Sequence, residues 1–266
     1  MSAGPAHHPH DEHDEHHDVA AHGTGDGDVV LRVEHLSVTY DRRPVISDLS
    51  FEVHRGDRVM IVGPNGAGKT TLFRALLGFV PYEGRIWWHP SVSVGFVPQG
   101  LDVNRKFPLT VRELFHFGRT RLTDDAIQDG LTAVNAAALV DRSLATLSSG
   151  EFQRVLIAFA LAQQPDVLLF DEPTSDIDIG GQETIYQRLE SVAAARALTL
   201  LMISHDLNVV LNYATEVLCL SREFHCHGRP IDILTPDTLR KLYGPGAQFY
   251  HHTHSSVGER PEGNAG

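Results

Sequence analysis

Over residues 29–62 apolar and polar positions alternate with a period of two, in the stretches Val29-Val30-Leu31-Arg32-Val33, Leu36-Ser37-Val38-Thr39-Tyr40 and Ser50-Phe51-Glu52-Val53. That period sends successive side chains to opposite faces and predicts strands with one buried face. Turn-forming residues separate them at Asp41-Arg42-Arg43-Pro44 and His54-Arg55-Gly56-Asp57. A second pattern takes over from residue 57. Residues 57–62, 166–172 and 198–205 each carry an apolar run, the first leading into Gly63 and the others ending on Asp171-Glu172 and Ser204-His205, and residues 216–220 form a further run. Such runs belong to strands buried on both faces of a parallel sheet. Residues 84–88 and 92–97 read as two more strands. Helical spacing fills the intervals: residues 71–77, 152–162, the Ala-rich 124–140, and 110–115, which opens on the capping-box pair Thr110 and Glu113. Strand and helix in alternation predict an α/β fold around a parallel sheet, closed by the 216–220 strand, with residues 107–162 mostly helical.

Both ends fall outside these periods. Residues 1–28 carry His7, His8, His10, His13, His16, His17 and His22 interleaved with Asp and Glu, and contain no Lys or Arg. A segment so poor in apolar residues cannot offset its ordering entropy, so a disordered tail is expected. Imidazole and carboxylate at short spacing are donors for Zn²⁺, Ni²⁺ or Cu²⁺; a solvated spacer is the alternative. After Tyr243 the chain breaks at Gly244-Pro245-Gly246, and His251, His252 and His254 form a second cluster in an expected flexible tail over residues 244–266. The ordered part is therefore expected to be residues 29–243.

Composition narrows the function. A chain of 266 residues accommodates one large α/β domain, and its net charge of −12 argues against nucleic acid as a partner. Cys219 and Cys226 are too few for a disulfide framework. No N-terminal apolar segment reads as a secretion signal, and no run of about 18 apolar residues is available to span a bilayer. A cytoplasmic chain is expected, with any membrane role exercised through a partner.

The strongest chemical signal is Gly63-Pro64-Asn65-Gly66-Ala67-Gly68-Lys69-Thr70-Thr71. It matches the phosphate-loop pattern G-x-x-x-x-G-K-[ST] and lies between a predicted strand and a predicted helix. Glycines let main-chain N–H groups close on phosphate oxygens, and the helix N-terminus adds positive partial charge. In such a loop Lys69 reaches the β- and γ-phosphates and the Thr70 hydroxyl ligates Mg²⁺. Asp171 and Glu172 leave a buried strand at its carboxyl end, where α/β folds place chemistry. Gln99 leaves the 92–97 strand, and His205 leaves the 198–203 strand. Leu147-Ser148-Ser149-Gly150-Glu151, at a predicted helix start, is a second candidate anion site.

In that order these motifs resemble the ATP-binding subunits of ABC transporters, over residues 29–243. The discriminating element is Leu147-Ser148-Ser149-Gly150-Glu151, which is similar to the L-S-G-G-Q signature of that family. The resemblance implies a P-loop NTPase core with an antiparallel β subdomain and an inserted α-helical subdomain at about residues 100–162. It implies that Tyr40 stacks on adenine, that residues 63–71 hold ATP and Mg²⁺, and that Asp171 binds Mg²⁺. Gln99 would sense Mg²⁺ and the attacking water, Glu172 would be the general base, and His205 would contact the γ-phosphate. Ser148, Ser149 and Gly150 would face the nucleotide of a second copy, with Asp178 in the seam, so a homodimer is expected.

Three departures stand out: Ser149 and Glu151 in the signature, and Asp176 beside the seam. If the signature backbone needs positive φ, Ser149 carries strain. The stretches from Phe107 to Glu113, from Leu147 to Val155 and from Val217 to Arg222, with the Tyr250-His251-His252 end, resemble importers of zinc, manganese and iron. The histidine tails favour zinc, because manganese prefers oxygen ligands. The resemblance implies a membrane permease as partner at the cytoplasmic face, and an extracytoplasmic metal-binding protein indirectly. The competing classes are a manganese or iron importer subunit, a soluble non-transport ABC ATPase, and a metal-storage protein on a nucleotide fold.

Overall fold

The computed structural model describes residues 28–40, 42–99, 108–118, 122–172, 179–222 and 224–244. Asp176, Asp178 and all the tail histidines named above lie outside the described residues.

The alternating N-terminal stretches form a three-stranded antiparallel sheet. β1 (Val29–Tyr40) lies between β2 (Arg43–His54) and β4 (Glu83–Trp88). The sequence predicts two strands over residues 29–40; the structure has one, with a register shift between Val33 and Leu36. His35 there takes φ 51°, and its ring pairs with Asp48, itself at φ 51°, at 2.7 Å. The bulge absorbs one residue, so Val33 and Leu36, three apart, both point inward.

The second sheet has six strands in the order β5 (Val94–Val97), β6 (Val167–Asp171), β7 (Thr199–Ile203), β3 (Arg58–Val62), β8 (Glu216–Leu220) and β9 (His225–Gly228). The first five run parallel, and β6 and β7 are buried throughout. Period-two packing persists inside the unbroken apolar runs. Val59, Ile61, Leu169, Leu201 and Leu218 face one core, shared with the three-stranded sheet and α1 (Lys69–Leu76). Met60, Val62, Phe170, Met202 and Val217 face the other, shared with α4 (Ser149–Ala162). That second core also takes in α2 (Val111–Phe115) and α3 (Asp124–Ala133); Phe115 meets Phe159 of α4 edge to face at 5.5 Å.

Two expectations are corrected. The sheet does not close at β8: β9 adds an antiparallel edge, with Cys219 opposite Cys226, Cα atoms 4.9 Å apart and the two joined as a disulfide. The stretch 124–140 is not one helix, because Asn135 takes φ 56° and a short 3₁₀ turn at Ala137–Leu139 follows α3. The chain continues through α5 (Ile179–Arg196), α6 (Leu207–Tyr213), α7 (Pro230–Ile233) and α8 (Pro236–Tyr243). Among the described residues, no helix is long and apolar enough to cross a membrane.

Candidate functional site

Strand order builds the site. β5, β6, β7 and β3 are parallel neighbours, so their carboxyl ends lie along one edge, and the groups leaving them are brought together. β3 gives the phosphate loop, β5 leads to Gln99, β6 ends at Asp171 and Glu172, and β7 is followed by Ser204 and His205. The loop and the first turn of α1 border a cavity of about 420 Å³ lined by Asn65 to Thr71, Val45, Gln99 and Glu172.

At the loop, Gly68 is the N-cap of α1 with φ 97°; no side chain caps the helix and no acidic residue sits in its first turn. A Cβ on Gly68 would come within 2.9 Å of Val45 Cγ1, so glycine is required by conformation and by space. The first-turn N–H groups of α1 are left available to an anion. Lys69 is buried, and its Nζ donates to the carbonyls of Gly63 (2.8 Å) and Pro64 (3.0 Å). Burial pushes its ammonium below the usual lysine range, while Glu172 and Asp171 pull the other way.

The Thr70 hydroxyl donates to Asp171 Oδ1 at 3.2 Å. Asp171 is 3% exposed, and burial pushes its carboxyl above the ordinary range; the Thr70 bond opposes this and the Glu172 charge adds to it. A desolvated carboxylate beside a hydroxyl is a donor pair fit for Mg²⁺, which takes oxygen ligands. Glu172 is outside the strand with φ 50°, a left-handed backbone that a non-glycine residue adopts at a cost. Its carboxylate is held in a clamp. Gln99 Nε2 donates to Oε2 at 2.7 Å, and His205 Nε2 meets Oε1 at 2.5 Å. The two acids of one strand end are thus assigned to different neighbours.

Other predicted residues are placed elsewhere. Tyr40 ends β1, is 60% exposed and does not line the cavity; Val45, from the same hairpin, does. Val45 is an ordinary apolar strand residue, and the sequence holds no signal that would mark it as part of the site. Ser148, Ser149 and Gly150 open α4 and also do not line it. Ser148 is the N-cap: its Oγ accepts from Glu151 N–H at 3.2 Å, while a Glu151 carboxylate oxygen accepts from Ser148 N–H at 2.8 Å. The expectation of strain at Ser149 is overturned. It is the first helical residue and its φ is not positive, because in this arrangement the signature is a capped helix start rather than a left-handed turn. The Glu151 carboxylate also pairs with Arg142 at 2.8 Å, and the Ser148 N–H holds it below the usual glutamate range.

Comparison with known proteins agrees with this geometry. The ABC transporter family pattern matches residues 46–175. A zinc import ATP-binding protein, ZnuC, of Cereibacter sphaeroides is 39% identical over 228 residues, 84% of this chain and 93% of that protein. ZnuC of Pseudomonas savastanoi pv. phaseolicola is 36% identical over 233 residues, 85% of this chain and 87% of that protein. Among solved structures, an inward-facing metal-chelate type ABC transporter superposes with a TM-score of 0.73 at 29% identity, covering 81% of this chain and 89% of that one. With motifs, fold and relatives in accord, the chain belongs to the ABC transporter family, as one of its ATP-binding chains.

Proposed function

We propose that the chain is the ATP-hydrolysing subunit of a zinc importer, working as a homodimer docked on a membrane permease at its cytoplasmic face. The permease would receive zinc from an extracytoplasmic metal-binding protein. The cassette spans residues 29–243, with residues 100–162 as the helical subdomain. The observation that carries the hydrolytic part is the Glu172 carboxylate, clamped by Gln99 and His205 at the mouth of the phosphate-loop cavity. The zinc part rests on likeness to the zinc import ATP-binding proteins.

In-line attack of water on the γ-phosphorus needs a held, neutralised phosphoryl group and an oriented water. Lys69 exchanges its bonds to Gly63 and Pro64 for phosphate oxygens, and the N–H groups of residues 66–70 close around them. Thr70 and Asp171 would hold Mg²⁺, which would supply neutralisation of the negative charge on the phosphates. Glu172 takes the proton of the water as its bond to phosphorus forms, and the β–γ bridging oxygen departs with ADP. Gln99 and His205 keep that carboxylate from turning back onto the metal pair. Ser148 and Gly150 complete the site from a second copy. The tail histidines, His7 to His17 and His251 to His254, are read as weak zinc ligands that buffer the ion near the importer.

Glu172→Gln is expected to lower ATP hydrolysis by a factor of about 10² to 10³ while ATP is still bound. Metal choice is tested by uptake: cells lacking the gene should lose zinc accumulation, restored by the parent chain and not by Glu172→Gln. Restored manganese but not zinc uptake would replace zinc in this reading. Activity that needs no membrane partner would point to a soluble ATPase.

A further inference from the structure

The phosphate loop is framed by its motif on one side only. Its other side is walled by residues outside the phosphate-loop pattern. A second cavity, of about 550 Å³, lies there, lined by Pro64 to Ala67, by Ser221, Arg222 and Phe224 of the β8–β9 turn, and by Lys241 of α8. Lys241 Nζ stands over the Phe224 ring at 5.4 Å, tying α8 to that turn. The last residue of α8 is Tyr243, after which Gly244 (φ 88°) ends the helix. The Tyr243 ring packs against the main core, and its hydroxyl accepts a hydrogen bond from the backbone N–H of Gly63. Gly63 is the first glycine of the loop and is already pressed against β8. A Cβ there would fall 2.0 Å from the Leu220 carbonyl oxygen, and its φ is 153°.

We propose that Tyr243 is a positioning residue for ATP binding: from the end of α8 its hydroxyl fixes Gly63, and with it the carbonyls on which Lys69 rests. The inference rests on reading the cradle as the ATP site. The logic is mechanical. Lys69 Nζ is parked on Gly63 O and Pro64 O, so the orientation of the 63–64 peptides decides where the ammonium waits. A backbone bent at Gly63 has a choice of orientations, and glycine imposes none by itself. The Leu220 carbonyl crowds the backbone at Gly63, and the Tyr243 hydroxyl holds the N–H of the peptide that enters it. α8 is well seated for this: Thr235 caps it, Pro236 occupies its first turn, and Leu239 and Leu242 are buried. A preorganised loop binds phosphate without first ordering itself, and that ordering cost falls on affinity.

The test is Tyr243→Phe, which keeps the ring and removes the acceptor, beside Tyr243→Leu, which removes both. Dissociation constants for fluorescent ATP and ADP analogues are measured with Mg²⁺, together with steady-state kinetics and thermal unfolding. Tyr243→Phe should bind both nucleotides about 3- to 10-fold more weakly and raise KM by the same factor, with kcat within two-fold and the unfolding temperature unchanged. Tyr243→Leu should lose affinity and thermal stability together. Parental affinity in Tyr243→Phe overturns the proposal, as does a loss that merely tracks a lowered unfolding temperature or falls on kcat alone. A parent chain that binds no ATP would defeat the reading of the cradle and this inference with it; that outcome is distinct, because it appears without any substitution.

Discussion

Two helices of this protein begin at sequences expected to meet phosphate, and they begin differently. α1 starts on Gly68, with no capping side chain and no acidic residue in its first turn. α4 starts on Ser148 with a complete capping box, and its first turn holds Glu151. The N-terminal N–H groups of α1 are open to a ligand, while two donors at the start of α4 are already taken by Ser148 and Glu151. Their carboxylates differ as well. The acid at α1 is Asp171, supplied by β6, buried and pushed up. The acid at α4 is its own Glu151, at the surface and held down. The comparison teaches that only one of the two is a ready anion site. The other is a stable helix start whose cap already uses the Ser148 and Glu151 amides, and it enters the proposed mechanism only as the surface that would meet a phosphate held by a second copy.

The largest effect is expected from closing the open helix end. Gly68→Ala puts a Cβ against Val45 on a backbone of φ 97°, at a cost of about 1–3 kcal/mol. It should weaken nucleotide binding at least about tenfold, read by titration with a fluorescent ATP analogue. Neutralising the buried acid tests its charge. Folding raises the pKa of Asp171, so its charged form costs stability at neutral pH. Asp171→Asn should raise the unfolding temperature of the nucleotide-free chain at pH 7 by about 2–4 °C. The gain should fade as pH falls through the raised pKa towards the unfolded value of 3.8. The same substitution should remove the Mg²⁺ dependence of ATP binding. The smallest effect belongs to α4. Glu151→Gln keeps a capping residue and loses only an exposed pair with Arg142, so the unfolding temperature should move by less than about 2 °C. With a negative charge removed beside the second copy's phosphate, ATP-driven association should tighten.

The same contrast separates what the residues disclose locally from what only the fold brings together. The phosphate loop is legible because its constraint is local: glycine, lysine and threonine at fixed spacing between a strand and a helix. The β3, β6, β7 and β8 runs are legible because a strand buried on two faces tolerates little but apolar side chains. β9 is not, since His225-Cys226-His227-Gly228 carries no apolar period and owes its pairing to the register with β8. α8 has a readable trace in Thr235-Pro236, a cap followed by a proline in the first turn, that periodicity alone passes over. The bulge at His35 splits one strand into two apparent ones. The clamp on Glu172 joins residues 73 and 33 positions away, and nothing local to Gln99 or His205 announces it. The capping box at Ser148 is a local S-x-x-E signal, yet resemblance to the signature points towards a strained loop instead.

The central claim is that the open end of α1 and the capped end of α4 serve one phosphate from two copies of the chain. Sedimentation velocity of Glu172→Gln with Mg²⁺ and ATP tests it most directly, because hydrolysis no longer empties the site. The account predicts a species of two chains with ATP, a single chain with ADP, and loss of the two-chain species when Ser148→Arg is added. A single chain at every concentration with saturating ATP would contradict it.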